Sequence, residues 1–197
     1  ADRPTRMLPF QNPPTAVKEH ASTLLSRYPH VVDFNDEVGG QFDIVYAPTE
    51  NITININTAA ASRHYNYKNI GTGALIVYDR IDRSSSYMPS FSDEFSPWYE
   101  AYVEGEWYAT DKIYAKVSYD YQSSVIYDNL SPDNSEKQRV STIPTEFRYS
   151  FTKDYTLKLN FENQFVFNSN MTTKKDFLNE LISLSVSRSP NLSATVS

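Results

Sequence analysis

The chain has no cysteine. That excludes a disulfide framework, a thiolate metal centre and a cysteine nucleophile. Only five of its 197 residues are glycine. The Gly-Thr-Gly at 71–73 is followed by no Lys-Ser/Thr pair and opens no helix, so it is not a phosphate-binding loop. No window approaches the roughly 18 consecutive apolar residues of a membrane-crossing helix. Basic residues number 18 against 24 acids and form no stripe, so nucleic acid is not an expected partner. The low average hydropathy does not exclude a membrane, because strands that alternate apolar and polar residues average out.

What the chain has in excess is aromatic side chains, 14% of all residues, with 15 tyrosines. They fall into a pattern of period two, the signature of extended strands. In TLKLNFENQFVF (156–167), Leu157, Leu159, Phe161, Phe165 and Phe167 share one face with the preceding Tyr155, and Lys158, Asn160, Glu162 and Gln164 share the other. The same alternation predicts strands over 38–47, 51–58, 98–109, 113–122, 145–151, 180–187 and 192–197. None is a solid apolar run, which argues against a buried parallel sheet. Eight antiparallel strands in an all-β, up-and-down meander are expected.

Residues 1–37 differ. Residues 3–20 carry four of the eleven prolines and no alternation, so this part reads as an irregular segment draped on the rim or in the lumen of something larger. Within it, 16–28 has apolar residues at roughly helical spacing. From 38 onward the connections alternate between short (Pro-Thr-Glu, Thr-Asp-Lys, Thr-Lys-Asp) and long (64–96 and 128–144). A transmembrane β-barrel, with tight periplasmic turns and longer extracellular loops, has this asymmetry.

Three features favour a membrane barrel over a soluble sandwich or lipocalin-like barrel. Several strands reach the ~9–11 residues that cross a bilayer. Tyr46, Trp107, Phe151 and Tyr155 sit at apolar-face strand ends, as an aromatic girdle would. The opposite face carries Asp43, Glu100, Glu104, Glu106, Lys116, Asp120, Glu146, Arg148, Lys158 and Glu162, and these are expected to line the lumen. Across the Thr-Asp-Lys hairpin, Glu104 or Glu106 meets Lys116, depending on register. An acid-leaning lumen favours cations or neutral polar solutes, although the same charges would also serve as salt bridges closing a narrow barrel. Asn163 and Glu180 fall on the nominal lipid face as exceptions. The expected partners are membrane lipid, small polar solutes and, in a non-conducting scaffold, a surface or periplasmic protein. Because the first strand descends and the last ascends, the strands are expected to be part of a barrel of at least ten.

The segment 12–44 adds a resemblance. Lys-Glu-His at 18–20, Leu-Leu-Ser-Arg-Tyr-Pro-His at 24–30 and Asp-Glu-Val-Gly at 36–39 resemble an uncharacterised family of Bacteroidota outer-membrane proteins, a domain of unknown function whose members are much longer than this chain. The resemblance implies an outer-membrane barrel of a Gram-negative bacterium. It implies no activity and transfers no catalytic residues.

Catalytic and metal-binding patterns are weak. His64 precedes a loop containing Asp79, Asp82, Asp93 and Glu94, but no spacing enforces an Asp–His pair. His20 and His30 lack the helical spacing of a metal pair. The oxygen-rich Asp128–Glu136 stretch lacks the EF-hand pattern and its central glycine. The expectation is a protein that is not an enzyme and holds no cofactor or metal.

Overall fold

The computed structural model describes residues 22–30, 37–73, 75–82, 87–170, 175–188 and 192–196. Its strands are β1 (Val38–Thr49), β2 (Ile52–Ser62), β3 (Tyr65–Asn69), β4 (Tyr78–Asp82), β5 (Trp98–Thr110), β6 (Ile113–Ile126), β7 (Glu136–Ser150), β8 (Tyr155–Asn168), β9 (Asp176–Arg188) and β10 (Leu192–Val196). Eight of them form one sheet in the order β1-β2-β5-β6-β7-β8-β9-β10, and β3 pairs with β4 alone. Every pairing is antiparallel. The all-β meander expected from the alternation is therefore present. Among the described residues β1 and β10 pair with no second neighbour, so the sheet is not closed into a barrel.

The tight connections lie together at one end of the sheet. They join β1 to β2, β5 to β6 and β7 to β8, with strand limits at Thr49 and Ile52, Thr110 and Ile113, and Ser150 and Tyr155. Two of these hairpins carry a register shift beside the turn, at Tyr46/Thr49 and Tyr108/Thr110. Such bulges tighten the local twist without disturbing the pairing further along.

Two expected loops need correction. The segment 64–96 contains the β3–β4 hairpin, in which Arg80 pairs with Asp82 at 2.6 Å and lies 4.3 Å over the Tyr65 ring. The loop expected over 128–144 ends at Ser135, because β7 begins at Glu136. Pro144 hid the first half of that strand, since proline cannot donate to a ladder. The β6–β7 ladder accommodates it with a gap: it runs through Val117↔Thr145, resumes at Asp120↔Thr142, and keeps its register. On the other side Pro144 pairs with Glu162 of β8. Of the helix expected over 16–28, residues 16–21 lie outside the described residues. Its last part forms one 3₁₀ turn at Leu25–Arg27.

The sheet has one polar and one apolar face, and their burial is the reverse of a water-soluble core. On the polar face Asn57, Glu100, Asp120, Thr142, Glu162 and Gln164 are buried. On the apolar face Phe42, Ile44, Val103, Val117, Leu159, Phe165, Ile182 and Leu184 are exposed. The registers keep this sorting in step across strands: Ile44↔Ile56, Ile56↔Val103, Val103↔Tyr119, Phe147↔Leu159 and Leu159↔Leu184 lie on the outer face. Residues of β5, β6, β7, β8 and β9 together line one small cavity on the polar side, so the sheet curves around that face. The only cluster of buried apolar side chains among the described residues is small, Ala59, Ala61 and Trp98.

Candidate functional site

All ten residues expected to line the lumen share the concave face, since each occupies the same parity in the strand registers. Their environments differ. Asp43 lies on the edge strand β1, exposed, and accepts a hydrogen bond from Gln41 Nε2 at 2.8 Å. Glu106 is half-buried and stands opposite Lys116 in the ladder. The ion pair nevertheless forms on the diagonal, with Lys116 Nζ 3.3 Å from Glu104 Oε2. Both carboxylates considered for Lys116 are thus beside it, and the buried one holds it.

Glu104 is the most connected of these acids. Tyr102 Oη donates to its Oε2 at 2.6 Å and Asn55 Nδ2 donates to its Oε1 at 3.0 Å. Glu146 forms a second centre, pairing with Arg148 on its own strand and with Lys158 Nζ at 2.8 Å on β8. Alternate residues of one strand meet here because side chains at i and i+2 point the same way. Arg148 also lies 4.6 Å over the ring of Tyr114. Asn160, Gln164 and Asn179 extend the network with side-chain hydrogen bonds to Ser183, Thr142 and Gln164.

Residues 22–30 lie against this face. Glu162 anchors them: Ser22 Oγ donates to its Oε2 at 2.8 Å, the Thr23 amide to its Oε1 at 3.2 Å and the Leu24 amide to its Oε2 at 2.7 Å. Gln164 Nε2 donates back to the Leu24 carbonyl at 2.6 Å. Leu24 and Leu25 are buried, and the His30 ring stacks on Trp98 with centroids 4.5 Å apart. A carboxylate accepting two backbone N–H groups and a hydroxyl satisfies donors that the short 3₁₀ turn leaves unpaired.

The segment borders two cavities. One of about 140 Å³ is lined by Tyr102, Glu104, Lys116, Glu146, Lys158 and Glu162 among others, so both signs of charge face it. The other, about 480 Å³, lies towards the long-loop end and is walled by His30, Glu37, Trp98, Gln122, Val125 and Val140 among others. The small cavity has the chemistry to hold a small polar molecule, being lined by ammonium and carboxylate groups paired with one another, Lys116 with Glu104 and Lys158 with Glu146.

The expected girdle residues Tyr46, Trp107, Phe151 and Tyr155 are all exposed at the tight-turn end. Phe151 and Tyr155 stack at 5.7 Å, and Arg188 lies 5.7 Å over Tyr155. A second aromatic group at the opposite end escaped the sequence reading. There Tyr99 and Tyr121 are 6.0 Å apart, and Phe91 of the long loop meets Tyr99 at 6.0 Å. The alternation that placed Tyr99 and Tyr121 on the outer face was the available signal. Along β5 the eight residue steps from Tyr99 to Trp107 span about 26 Å, close to the ~25 Å apolar band of an outer-membrane barrel before strand tilt shortens it.

His64 stands between β2 and β3. Asp128 caps its own turn, accepting from the amides of Leu130 and Ser131 at 2.8 and 3.2 Å. His20 lies outside the described residues. Among the described residues no three His, Asp or Glu side chains cluster to hold a metal.

Residues 8–197 match the model of a family of unknown function, DUF6029, and the chain belongs to that family. No curated protein and no solved structure matches it.

Proposed function

We propose that this sheet is an arc of an outer-membrane β-barrel from a Gram-negative bacterium, in keeping with the Bacteroidota resemblance, and that its concave face lines a lumen passing small polar solutes. One observation carries the reading. From β2 to β9 the more exposed face is largely apolar and the more buried face largely polar. Water would drive the reverse arrangement, whereas lipid outside and a hydrated lumen inside favour this one. The main-sheet strands other than β10 have 11–15 residues, long enough to cross at the usual tilt. The unpaired edges of β1 and β10 are where the barrel closes, since an open edge in hydrocarbon leaves backbone groups unsatisfied.

In this reading membrane lipid is the partner of the outer face. Residues 22–30 narrow the lumen, and the small charged cavity beside them is the solute-contacting part. The protein is expected to require detergent or lipid to stay monodisperse. Planar-bilayer recordings of the full-length protein test the lumen, and Glu162→Ala, which frees the segment's anchor, should raise conductance. Conductance absent from both proteins would favour a second reading, a non-conducting barrel that anchors a surface or periplasmic protein. The packing of residues 22–30 across the concave face is the observation on its side.

A further inference from the structure

The concave face changes character at the long-loop end. Ala61↔Trp98, Trp98↔Ser124, Ser124↔Gln138 and Gln138↔Asn168 set one uncharged row across β2, β5, β6, β7 and β8. Gln122↔Val140 lies in the next row on the same face. The charge pairs of Glu104 and Glu146 lie nearer the tight turns. The cavity of about 480 Å³ sits over these two rows, and residues 28–30 form part of its wall.

Its walls divide by chemistry. Tyr28, Trp98 and Val140 give it apolar surface. Trp98 is held in place, stacked on His30 at 4.5 Å and packed with Ala59 and Ala61. Ser124 and Gln138 also line the cavity, and their side chains make no hydrogen bond among the described residues. Gln122 donates Nε2 to Glu100 at 3.1 Å, and its Oε1 accepts from no described residue. Hydroxyls and primary amides both donate and accept. The charged residues of the wall are already engaged: His30 and Glu37 meet at 2.9 Å, and Arg63 has an interaction of its own. The cavity therefore offers uncommitted polar groups but no uncommitted charge. Water would satisfy the amides and the hydroxyl, but it would leave the apolar wall wet. An organic ligand with both kinds of surface satisfies the two together.

We propose that this cavity is a binding site for a neutral saccharide of one or two rings. Every sugar hydroxyl donates and accepts, which matches Ser124, Gln122 and Gln138 group for group. The C–H face of a pyranose is apolar and packs on Tyr28, Trp98 and Val140. The absence of an uncommitted charge on the described wall selects against ions and favours a neutral ligand. The volume lies within the ~300–1,000 Å³ of small-ligand pockets. The site is assembled from β5, β6, β7 and residues 28–30, so no spacing along the chain announces it. Its position at the outer mouth rests on the barrel reading, while the ligand class rests on the cavity alone. A barrel that does not conduct would hold the same ligand, so binding and conductance fail separately.

Saturation-transfer NMR tests it on the full-length protein in micelles of a detergent without a sugar headgroup. The probes are the methyl glycosides of glucose, galactose, mannose and N-acetylglucosamine, with maltose, cellobiose, lactose and chitobiose. Saturable binding of at least one is expected, with transfer strongest at the C–H protons of one ring face. Gln138→Ala removes both hydrogen-bonding ends of an amide and should weaken that binding about tenfold. Ser124→Ala should weaken it by less. Neither side chain has a hydrogen bond to lose among the described residues, so both variants should fold. Lys153→Ala, in an exposed tight turn, should leave binding unchanged. No saturable binding of any of the eight probes would overturn the site, as would undiminished affinity in both Gln138→Ala and Ser124→Ala. Adenosine binding more tightly than every sugar would also overturn it, by showing a slot for flat rings. Conductance in bilayers without sugar binding would remove this site and leave the lumen reading standing. Sugar binding without conductance would do the reverse.

Discussion

Asn163 of β8 and Glu180 of β9 are direct cross-strand partners. They are the two polar exceptions that the sequence places on the apolar outer face, and the structure sets them side by side. Their neighbours in the same ladder are Phe161↔Ile182 and Phe165↔Leu178. A polar residue in an apolar belt is less costly when its nearest neighbour is also polar, since each gives the other a hydrogen-bonding group.

That pairing has a measurable consequence. Asn163→Leu and Glu180→Leu, made singly, each leave a polar group facing leucine. The double variant removes both. A double-mutant cycle on folding into lipid vesicles should give a coupling energy of about 0.2–1 kcal/mol. Strict additivity would show that the two side chains do not interact.

Leu159 and Lys158 test the assignment of the faces. Leu159 lies four residues from the Tyr155 girdle, about 13 Å along β8 and close to mid-depth. Leu159→Arg should cost about 2–4 kcal/mol of folding stability in vesicles. Lys158→Leu removes one of two cations from Glu146, leaving Arg148 in place, and should cost less than about 1 kcal/mol. Equal sensitivity at the two positions would invert or abolish the two-faced sheet.

Glu162 holds residues 22–24 by three donors. Hydrogen bonds to a charged group contribute about 1.5–3 kcal/mol each. Hydrogen exchange at the Thr23 and Leu24 amides should therefore speed up by at least about tenfold in Glu162→Ala, with exchange in the β1–β2 ladder unchanged. Protection at Thr23 and Leu24 that survives the substitution would mean that the buried leucines hold the segment without the carboxylate.

Orientation can be read with protease on intact cells. Cleavage is expected in the connections from 63 to 97 and from 127 to 135, which join β2 to β5 and β6 to β7 at the long-loop end. The turns at 50–51, 111–112 and 151–154 should survive, since the proposed orientation puts them on the periplasmic side. Cutting confined to those turns would reverse the topology.

The strands were legible in the sequence because a curved two-faced sheet stamps a period of two on every strand. β8 is the clearest case, from Tyr155 through Phe167. Legibility failed where a local rule conflicted with the ladder. Pro144 reads as a breaker, yet β7 carries it across a gap in one of its two ladders. β3 and β4 have five residues each and sit inside a Ser- and Asp-containing connection, too short for alternation to stand out. The charged face could be identified but not its pairings, since Glu104 and Glu106 are equivalent until register and side-chain reach are known. The anchoring of residues 22–24 on Glu162 joins positions about 140 apart in the chain, and no local pattern encodes it.

Outside the bulges at Tyr46/Thr49 and Tyr108/Thr110, parity passes through all seven ladders of the main sheet without inversion. Deleting a single residue inside a strand would turn every following side chain of that strand to the wrong side, unless a bulge absorbed the slip. Lengthening a strand by two residues preserves the sides, and insertions at the long-loop end leave them untouched. Length variation among members of this family is therefore expected to accumulate in the connections after β2, β6 and β8. Within strands it should occur in steps of two, or beside the bulged hairpins at Tyr46/Thr49 and Tyr108/Thr110.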